Sequence, residues 1–378
     1  MESVVILDAK RTPIGKFFGG LSDLSSVEIA TKLLQKMLQQ NGVAADDISQ
    51  VILGSVYQAG NGQNVARQVA LNSGLSQSST AMTINQVCGS GLKAIHLAQL
   101  ALQADEAKII VAGGVESMSS TPFLNQRTNK LEHDESNIDS LFNDGLNDAF
   151  NHQAMGVTAE NVAEKYHISR KEQDEFAYNS QIKASQADFS KEIIAINDLE
   201  TDESIRGNTT IEKLGTLPTS FKENGTVTPG NSSPINDGAS LLLLTTKKYA
   251  EENNLNYLAE INNYVEYGND PDYMGYAPYY AISELMKKEN SQIDDYDLLE
   301  INEAFAAQAV AVAKDLQIDS NKLNIKGGAL ALGHPLGASG ARIVTTLIHN
   351  LQETKQTTGI ASLCIGGGMG MAMSLKLH

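Results

Sequence analysis

Two cysteines are the residues in this chain most suited to covalent chemistry. Cysteine occurs only at positions 88 and 364 of 378 residues, which excludes a disulfide framework and a multi-cysteine metal site. An isolated cysteine is usually a small buried apolar residue. Both of these cysteines, however, stand beside glycines, in NQVCGSGLKA and in TGIASLCIGGGMG. Since glycine lets backbone and substrate approach closely, both are candidates for a reactive site.

Cys88 lies between a strand-like run, STAMTINQ, and a helical pattern that extends from about Gly89 to Gln103. This position predicts a cysteine at a helix N-terminus, where free amides and the helix dipole stabilise a thiolate and lower its pKa. A nucleophile on a sharp strand-to-helix turn has the same arrangement. The competing interpretation is a buried structural cysteine at a glycine turn.

The same string fits G-x-G-x-x-A, from Gly89 to Ala94, which is the fingerprint of dinucleotide-binding proteins. Such proteins carry an acidic residue about 20 positions further on, at the end of the next strand. The nearest such residue here is Glu116. The motif also lies in the middle of its half of the chain and not at the first strand, so a dehydrogenase is the weaker interpretation.

Three further residues lie in comparable settings. His334 occurs in GGALALGHPLGASGAR, where Pro335 predicts that a helix opens directly after the histidine. Cys364 ends an apolar strand, and the segment from Gly366 to Gly370 predicts a turn whose free amides bind an oxyanion. Asn302, in DLLEINEAFAAQ, follows a strand-like run. It is either a helix cap or an amide that holds a catalytic water.

The elements that must position these residues alternate between strands and helices over the first ~118 residues. Strand-like runs span Glu2 to Ala9 and Ser49 to Tyr57, with an amphipathic helix from Val27 to Asn41 between them. This alternation predicts a parallel sheet covered by helices on both faces. From about residue 119 to residue 232 polar residues dominate, which predicts loops and small helices inserted into the core.

The last third of the chain resembles the first. NQVCGSGLKAIHLAQL is similar to ALGHPLGASGARIVTTLI, with Ser90-Gly91 matching Ser339-Gly340. Each string is followed by an apolar strand with paired glycines, at 113–114 and at 366–367. The repeat predicts two similar α/β halves related by pseudo-symmetry.

The composition limits the ligands and the location. A net charge of −17 argues against a nucleic-acid partner, and it requires that any anionic ligand be held by a local basic spot. No apolar run approaches the roughly 20 residues of a membrane helix. The chain opens directly with strand-like SVVILDAKRTP, which leaves no room for a signal peptide. We therefore expect a cytoplasmic protein without membrane contact and, since HExxH, CxxC and P-loop strings are absent, without a metal.

Taken in order, a series of strings resembles the thiolase family along essentially the whole chain: RTPIGKFFGGL, NQVCGSGLKA, AGGVESMS, MGVTAENVAEKY, NGTVTPGNSSPINDGA, EINEAFAAQ, GGALALGHPLGASGAR and CIGGGMGMA. The resemblance implies an α/β fold with a five-layered αβαβα core of two pseudo-symmetric halves and an inserted loop domain. We place the N-terminal half at 1–118 plus 233–255, the CoA-binding loop domain at 119–232 and the C-terminal half at 256–378. The resemblance also implies a homodimer or homotetramer.

A role for each reactive residue is implied by the same resemblance. Cys88 is expected to hold the acyl group as the nucleophile, and His334 to be the base that activates it. Cys364 is expected to exchange the α-proton of acetyl-CoA as a second acid/base. Asn302 is expected to position a water in an oxyanion hole shared with His334, while the amides of Cys88 and Gly366 form another.

Coenzyme A thioesters (acetyl-CoA and 3-ketoacyl-CoA) are the implied substrates, with no cofactor. Arg206 matches a position near the adenosine phosphates and is the local basic spot that the acidic composition requires. Met274 matches a position at the acyl pocket of short-chain members. The remaining matched positions follow the pantetheine: Met155, Phe221, Ser233, Ala304 and Phe305.

The sequence departs from the family pattern around the substrate. Ala154 stands where many short-chain members have a histidine before the Met-Gly of the pantetheine loop. After Met274-Gly275, the string YAPYYAI replaces small residues and prolines. It predicts Tyr276, Tyr279 and Tyr280 near the acyl pocket.

Together these inferences predict an acetyl-CoA C-acetyltransferase. It would condense two acetyl-CoA molecules reversibly into acetoacetyl-CoA and CoA through an acyl-cysteine, with ping-pong kinetics. The alternative within the family is a degradative 3-ketoacyl-CoA thiolase (acetyl-CoA C-acyltransferase) of fatty-acid oxidation, with a longer acyl pocket. A more remote alternative is a non-catalytic carrier of CoA or lipid.

Overall fold

The computed structural model describes residues 2–377. Its strands are β1 Val4–Arg11, β2 Gly15–Lys16, β3 Ile48–Gly54, β4 Thr80–Ile84, β5 Ile109–Ser117, β6 Phe123–Leu124, β7 Ile138–Asp139, β8 Asn236–Thr246, β9 Ala259–Gly268, β10 Leu298–Ile301, β11 Thr358–Ile365 and β12 Met369–Leu377. Its helices are α1 Ser26–Asn41, α2 Val65–Asn72, α3 Ser90–Gln103, α4 Met155–Lys165, α5 Arg170–Gln186, α6 Ile211–Gly215, α7 Lys247–Glu252, α8 Ala277–Glu289, α9 Ala306–Asp315, α10 Ala329–Leu332 and α11 Leu336–Thr354.

The main sheet is mixed, with the strand order β10-β11-β12-β9-β1-β8-β5-β3-β4. Strands β4, β3 and β5 are parallel to one another, as are β10 and β11, while β8, β1, β9 and β12 pair antiparallel. The parallel arrangement predicted for the first ~118 residues is confirmed for β3, β4 and β5. Strand β1 runs in the same direction, because β1 and β5 are both antiparallel to β8, which comes from later in the chain and lies between them. In the C-terminal half, β11 and β12 are antiparallel because the short turn 366–368 can join only antiparallel neighbours.

The two halves of the sheet repeat each other. The order β3-β5-β8-β1 and the order β10-β11-β12-β9 have the same pattern of one parallel pair followed by two antiparallel pairs. They meet where β1 pairs with β9, with Val4 opposite Ile261. The predicted α/β fold of two pseudo-symmetric halves is confirmed.

Helices cover and separate the two halves. Helices α3 and α11 lie in the middle and share one apolar core with both halves of the sheet, which includes Leu92, Ile95, Ile343 and Leu347. Helices α1 and α2 cover the N-terminal half from outside, and α8 and α9 cover the C-terminal half. This gives the five layers αβαβα. Of the residues 2–377, none belong to a helix that is both long and apolar enough to span a membrane.

The two central helices cross with backbone against backbone. A Cβ atom built on Gly340 would lie 2.4 Å from the Leu92 nitrogen, and one on Gly91 would lie 2.8 Å from the Ala341 nitrogen. A Cβ atom on Gly114, in the neighbouring strand, would lie 1.9 Å from the Gly337 carbonyl oxygen. These glycines are therefore required by close packing, and Gly91 has no room for the pyrophosphate of a dinucleotide.

Residues 119–232 contain β6, β7 and α4 to α6, joined by long irregular stretches. Helix α5 begins with a capping box, in which Ser169 and Glu172 bond to each other's backbone N–H groups. The domain boundaries proposed from the sequence remain predictions.

Candidate active site

A strained turn presents Cys88. The residue before it, Val87, has a φ of 46°, a left-handed conformation that β-branched side chains rarely adopt. Asn85 Oδ1 accepts the Val87 N–H at 2.9 Å, and Ser90 Oγ donates to the Val87 carbonyl at 2.7 Å. Because α3 begins at Ser90, Cys88 lies at the entry of a helix. Backbone strain that its surroundings hold in place is typical of functional sites.

The thiol of Cys88 is neutral in the resting protein. Burial raises the pKa of Cys88 to about 11, although the N–H groups of Gly366 and of Cys88 itself act to lower it. The low pKa predicted from the helix N-terminus is therefore wrong. The reason is that burial destabilises the thiolate by more free energy than the hydrogen bonds from these N–H groups restore. A base must therefore take the proton of Cys88.

His334 lies between α10 and α11, and its side chain is held in one tautomer. Its Nδ1 is 2.6 Å from Ser339 Oγ, and that hydroxyl donates its proton to the Pro335 carbonyl at 2.8 Å. Ser339 must therefore accept a hydrogen bond from Nδ1–H, which leaves Nε2 with its lone pair. Burial, followed by the charge of Arg342, lowers the pKa of His334 to about 3. The imidazole is a neutral base.

Asn302 directly follows β10, and Cys364 is the penultimate residue of the neighbouring strand β11. The main-chain N–H of Asn302 donates to the Ser362 carbonyl at 2.9 Å, and its Nδ2 lies 3.4 Å from Nδ1 of His334. Cys364 is 1% exposed and packs against Met274. Its pKa is raised well above the ordinary value, first by burial and then by the charge that Cys88 carries when ionised. The two sulfurs are therefore electrostatic neighbours.

Gly366 opens a turn of three glycines. Gly367 and Gly368 have φ of 87° and 80°, a conformation that glycine adopts without strain. The turn ends there, and not at Gly370 as predicted, because β12 begins at Met369. It directs the Gly366 N–H at the Cys88 sulfur, so this donor lies next to the atom predicted to attack a carbonyl.

A single cavity of about 760 Å³ brings most of the predicted residues together. Cys88, His334 and Gly366 line it, while Cys364 and Asn302 lie directly behind, against Met274 and His334 respectively. All the residues matched to the bound thioester also line it: Met155, Arg206, Phe221, Ser233, Met274, Ala304 and Phe305.

Two cations line this cavity. Within the described residues, Arg206 and Lys16 are exposed and have no ion-pair partner. Glu203 also lines the cavity, where its carboxylate accepts the N–H groups of Lys16 and Gly20 at 3.0 and 2.9 Å. Because the protein has a net charge of −17, it would repel a phosphate group if this cavity had no positive charges of its own.

Sequence reasoning missed several residues of the site. Lys16 carried no signal, because an exposed lysine is ordinary. Ser339, which fixes the tautomer of His334, lies on α11 five residues after it and was read only as part of the internal repeat. The apolar wall of the cavity was also missed, since its members come from separate segments: Met118, Phe142, Leu146 and Leu336.

The prediction that three tyrosines lie near the acyl pocket is wrong. Tyr276 stacks on Tyr166, the residue after α4, with 3.9 Å between the ring centroids. Tyr280 stacks on Tyr267 with 4.9 Å between the ring centroids. None of Tyr276, Tyr279 and Tyr280 lines the cavity. Their spacing of three and four residues places them on one helical face, which packs into the outer C-terminal layer. Ala154 does line the cavity, at the start of α4.

Comparison with known proteins agrees with this geometry. The chain matches the model of the thiolase N-terminal domain over residues 4–248 and that of the thiolase C-terminal domain over residues 255–377. It is 45% identical to a probable acetyl-CoA acyltransferase of Staphylococcus aureus, with 98% of each chain covered. A probable acetyl-CoA acyltransferase of Staphylococcus epidermidis is also 45% identical, again over 98% of each chain.

Solved structures show the same relationship. The chain superposes on the acetyl-CoA acetyltransferase of Bacillus anthracis with a TM-score of 0.95 and 40% identity, covering 100% of this chain and 99% of that one. It superposes on human mitochondrial 3-ketoacyl-CoA thiolase in complex with CoA with a TM-score of 0.95 and 37% identity, covering 100% of this chain and 98% of that one. The protein therefore belongs to the thiolase family of acyltransferases.

Proposed function

We propose that the protein is an acetyl-CoA C-acetyltransferase, which converts two acetyl-CoA molecules reversibly into acetoacetyl-CoA and CoA. One observation carries the proposal: two buried thiols and a neutral imidazole converge on one cavity that also has unpaired cations in its lining. Acyl transfer needs a nucleophile and an oxyanion site, and forming the carbon–carbon bond needs a second base.

The first half-reaction acylates Cys88. Its thiol gives a proton to Nε2 of His334, and the sulfur attacks the thioester carbonyl. The oxyanion that forms lies next to the N–H groups of Cys88 and Gly366. Collapse breaks the bond to CoA, and the departing CoA thiolate takes a proton from Cys364. The products are acetyl-Cys88, protonated His334, the Cys364 thiolate and free CoA.

The second half-reaction forms the carbon–carbon bond. The Cys364 thiolate removes an α-proton from a second acetyl-CoA, and its raised pKa makes it a strong base for this weak acid. The enolate oxygen is stabilised by protonated His334 and by a water held by Asn302. The enolate carbon attacks acetyl-Cys88, and the Cys88 thiolate leaves and recovers its proton from His334.

The cavity lining suits a CoA thioester. Its wall is predominantly apolar, and Phe221 meets Phe305 edge-on at 6.2 Å, which provides a surface for an extended pantetheine chain. Arg206 and Lys16 provide charges for the phosphates. Cytoplasmic location and assembly into a homodimer or homotetramer remain predictions.

Met274 favours the acetyl-transferring reaction over the degradative one. Its side chain is 3% exposed and packs against Cys364 and Ala304, so it occupies space beside the reacting sulfur that a longer acyl chain would need. A degradative 3-ketoacyl-CoA thiolase would use the same chemistry with a longer pocket. The test between them is a chain-length series of 3-ketoacyl-CoA substrates, and a preference for eight carbons over four would favour the degradative enzyme.

The reaction itself is tested by CoA-dependent loss of acetoacetyl-CoA absorbance. Wild type should show turnover, and Cys88→Ser should lose almost all of it. Mass spectrometry after incubation with acetyl-CoA should find an acetyl group on the Cys88 peptide of wild type. An acetyl group on the Cys364 peptide would reverse the two roles, and binding of CoA without turnover would identify a carrier.

A further inference from the structure

Arg342 is a buried residue of α11 that has no role in the reaction proposed above. Its side chain contacts the Asn302 amide. It is 2% exposed, and its Nη2 donates to Asn302 Oδ1 at 3.2 Å. The two ends of an amide have nearly the same shape, so its orientation is decided by its partners. Because a guanidinium can only donate, the oxygen of Asn302 must face Arg342.

With its oxygen towards Arg342, Asn302 presents its NH2 group to His334. Nδ2 lies 3.4 Å from Nδ1 and 3.5 Å from Nε2 of that ring. In the proposed reaction the enolate oxygen acquires its negative charge on the side of Asn302 that faces His334. A hydrogen-bond donor is needed there. A flipped amide would present its carbonyl oxygen to that charge and repel it.

Arg342 is itself held in place. Its Nη1 lies 3.5 Å from Glu300 Oε2, and Asn350 donates to Glu300 Oε1 at 2.9 Å. Glu300 precedes Asn302 by two residues, so both side chains leave the strand towards α11. A buried ion pair often adds no stability compared with apolar residues, which points to a function for this one.

We propose that Arg342 is a positioning residue that keeps the Asn302 amide turned as a donor towards the oxyanion site it shares with His334. The inference rests on the proposed reaction and predicts a defect in one half of it. Acylation of Cys88 uses the amides of Cys88 and Gly366, whereas enolate formation depends on Asn302.

The test is the variant Arg342→Met with Glu300→Gln, which removes the donor without leaving a buried carboxylate unpaired. Exchange of the acetyl-CoA methyl protons with D2O should fall about tenfold to a hundredfold. Acetylation of Cys88 by acetyl-CoA should stay within about twofold, because that step does not use the Asn302 amide. Glu300→Gln alone is the matched control. The glutamine amide oxygen can still accept from the Arg342 guanidinium, so the contact between Arg342 and Asn302 should survive and exchange should be retained.

A double-mutant cycle separates positioning from general destabilisation. In an Asn302→Ala background, the same pair of substitutions should cause no further loss of exchange. A multiplicative loss, an equal loss of Cys88 acetylation, or unchanged exchange in the folded variant would overturn the inference. If the paired variant does not fold, Arg342→Lys replaces it. Its single ammonium cannot reach both partners, so a partial, Asn302-dependent loss of exchange is expected, and full exchange overturns the inference. A wild type that neither acetylates Cys88 nor exchanges protons would instead refute the proposed function.

Discussion

Replacing Glu116 with Gln is expected to loosen the connection between the two halves of the site. The Glu116 carboxylate is fully buried at the end of β5 and accepts the N–H groups of Val56 (3.0 Å), Tyr57 (3.0 Å) and Gly337 (2.8 Å). Gly337 lies in the first turn of α11, three residues after His334. This carboxylate therefore ties the entry of α11 to the loop that follows β3.

The size of the effect follows from these hydrogen bonds. A carboxamide has one oxygen, so it cannot accept from both sides. If that oxygen keeps Val56 and Tyr57, the NH2 group faces the Gly337 N–H and leaves a buried donor unpaired, at a cost of about 1–3 kcal/mol. Glu116→Ala would strip the acceptor from all three amides, at about 3–9 kcal/mol in sum. This approaches the roughly 5–15 kcal/mol of a whole domain, so Gln is the informative substitution.

Urea unfolding and steady-state kinetics measure the two consequences. Glu116→Gln should lower the free energy of unfolding by about 1–3 kcal/mol and should also lower kcat, since α11 shifts relative to Cys88. The control is Asp297→Asn, whose carboxylate accepts the N–H groups of Thr357 and Thr358 at the opposite strand ends. It should lose less stability and keep kcat, because a single oxygen, Oδ2, accepts both N–H groups and an asparagine oxygen can do the same. A Glu116→Gln enzyme with the midpoint and kcat of wild type would refute the reasoning.

The remaining predictions concern the reactive groups. Cys364→Ala should still acetylate Cys88 but lose exchange of the acetyl-CoA methyl protons, and retained exchange measured by NMR would contradict its role as the base. Met274→Ala should raise kcat/KM for an eight-carbon 3-ketoacyl-CoA relative to the four-carbon one, since each methylene that fits an apolar pocket gains about 0.8 kcal/mol. An unchanged ratio would show that Met274 does not limit the chain. Because the pKa of His334 is lowered to about 3, kcat/KM should have no acidic limb near pH 6.5. The stability that neutral His334 contributes should be complete above pH 6.5 and decline as the pH falls towards 3, and a kinetic inflection between pH 6 and 7 would contradict this assignment.

The residues with a strong local signal could be predicted from the sequence. Cys88, His334 and Gly366 each lie in a glycine-rich string next to the end of a strand or the start of a helix. This local pattern was enough to predict them as candidate site residues. The alternation of strands and helices likewise predicted a sheet covered by helices on both faces, while the five layers were implied by the resemblance to the thiolase family. The alternation gave the common direction of β1, β3, β4 and β5 but not the antiparallel directions of β8 and of the β9–β12 pair, because these depend on how each connection returns across the sheet.

Properties that depend on distant contacts could not be predicted in this way. The pKa of Cys88 depends on how completely the folded chain covers it. The contact between Arg342 and Asn302 joins residues 40 positions apart. The tyrosines at 276, 279 and 280 were misplaced because the sequence shows which residues share a helical face but not what that face meets.

The crossing of α3 and α11 bears on how this protein tolerates genetic drift. Cys88 precedes the first residue of α3 by two positions, and His334 precedes that of α11 by two. The spacing of nucleophile and base is thus set by main-chain atoms that touch at glycines, and not by the size of particular side chains. Apolar substitutions elsewhere on these helices can accumulate at a cost in stability while the reacting atoms keep their separation. The glycines at the crossing have no such freedom, since any side chain there would push the two helices apart.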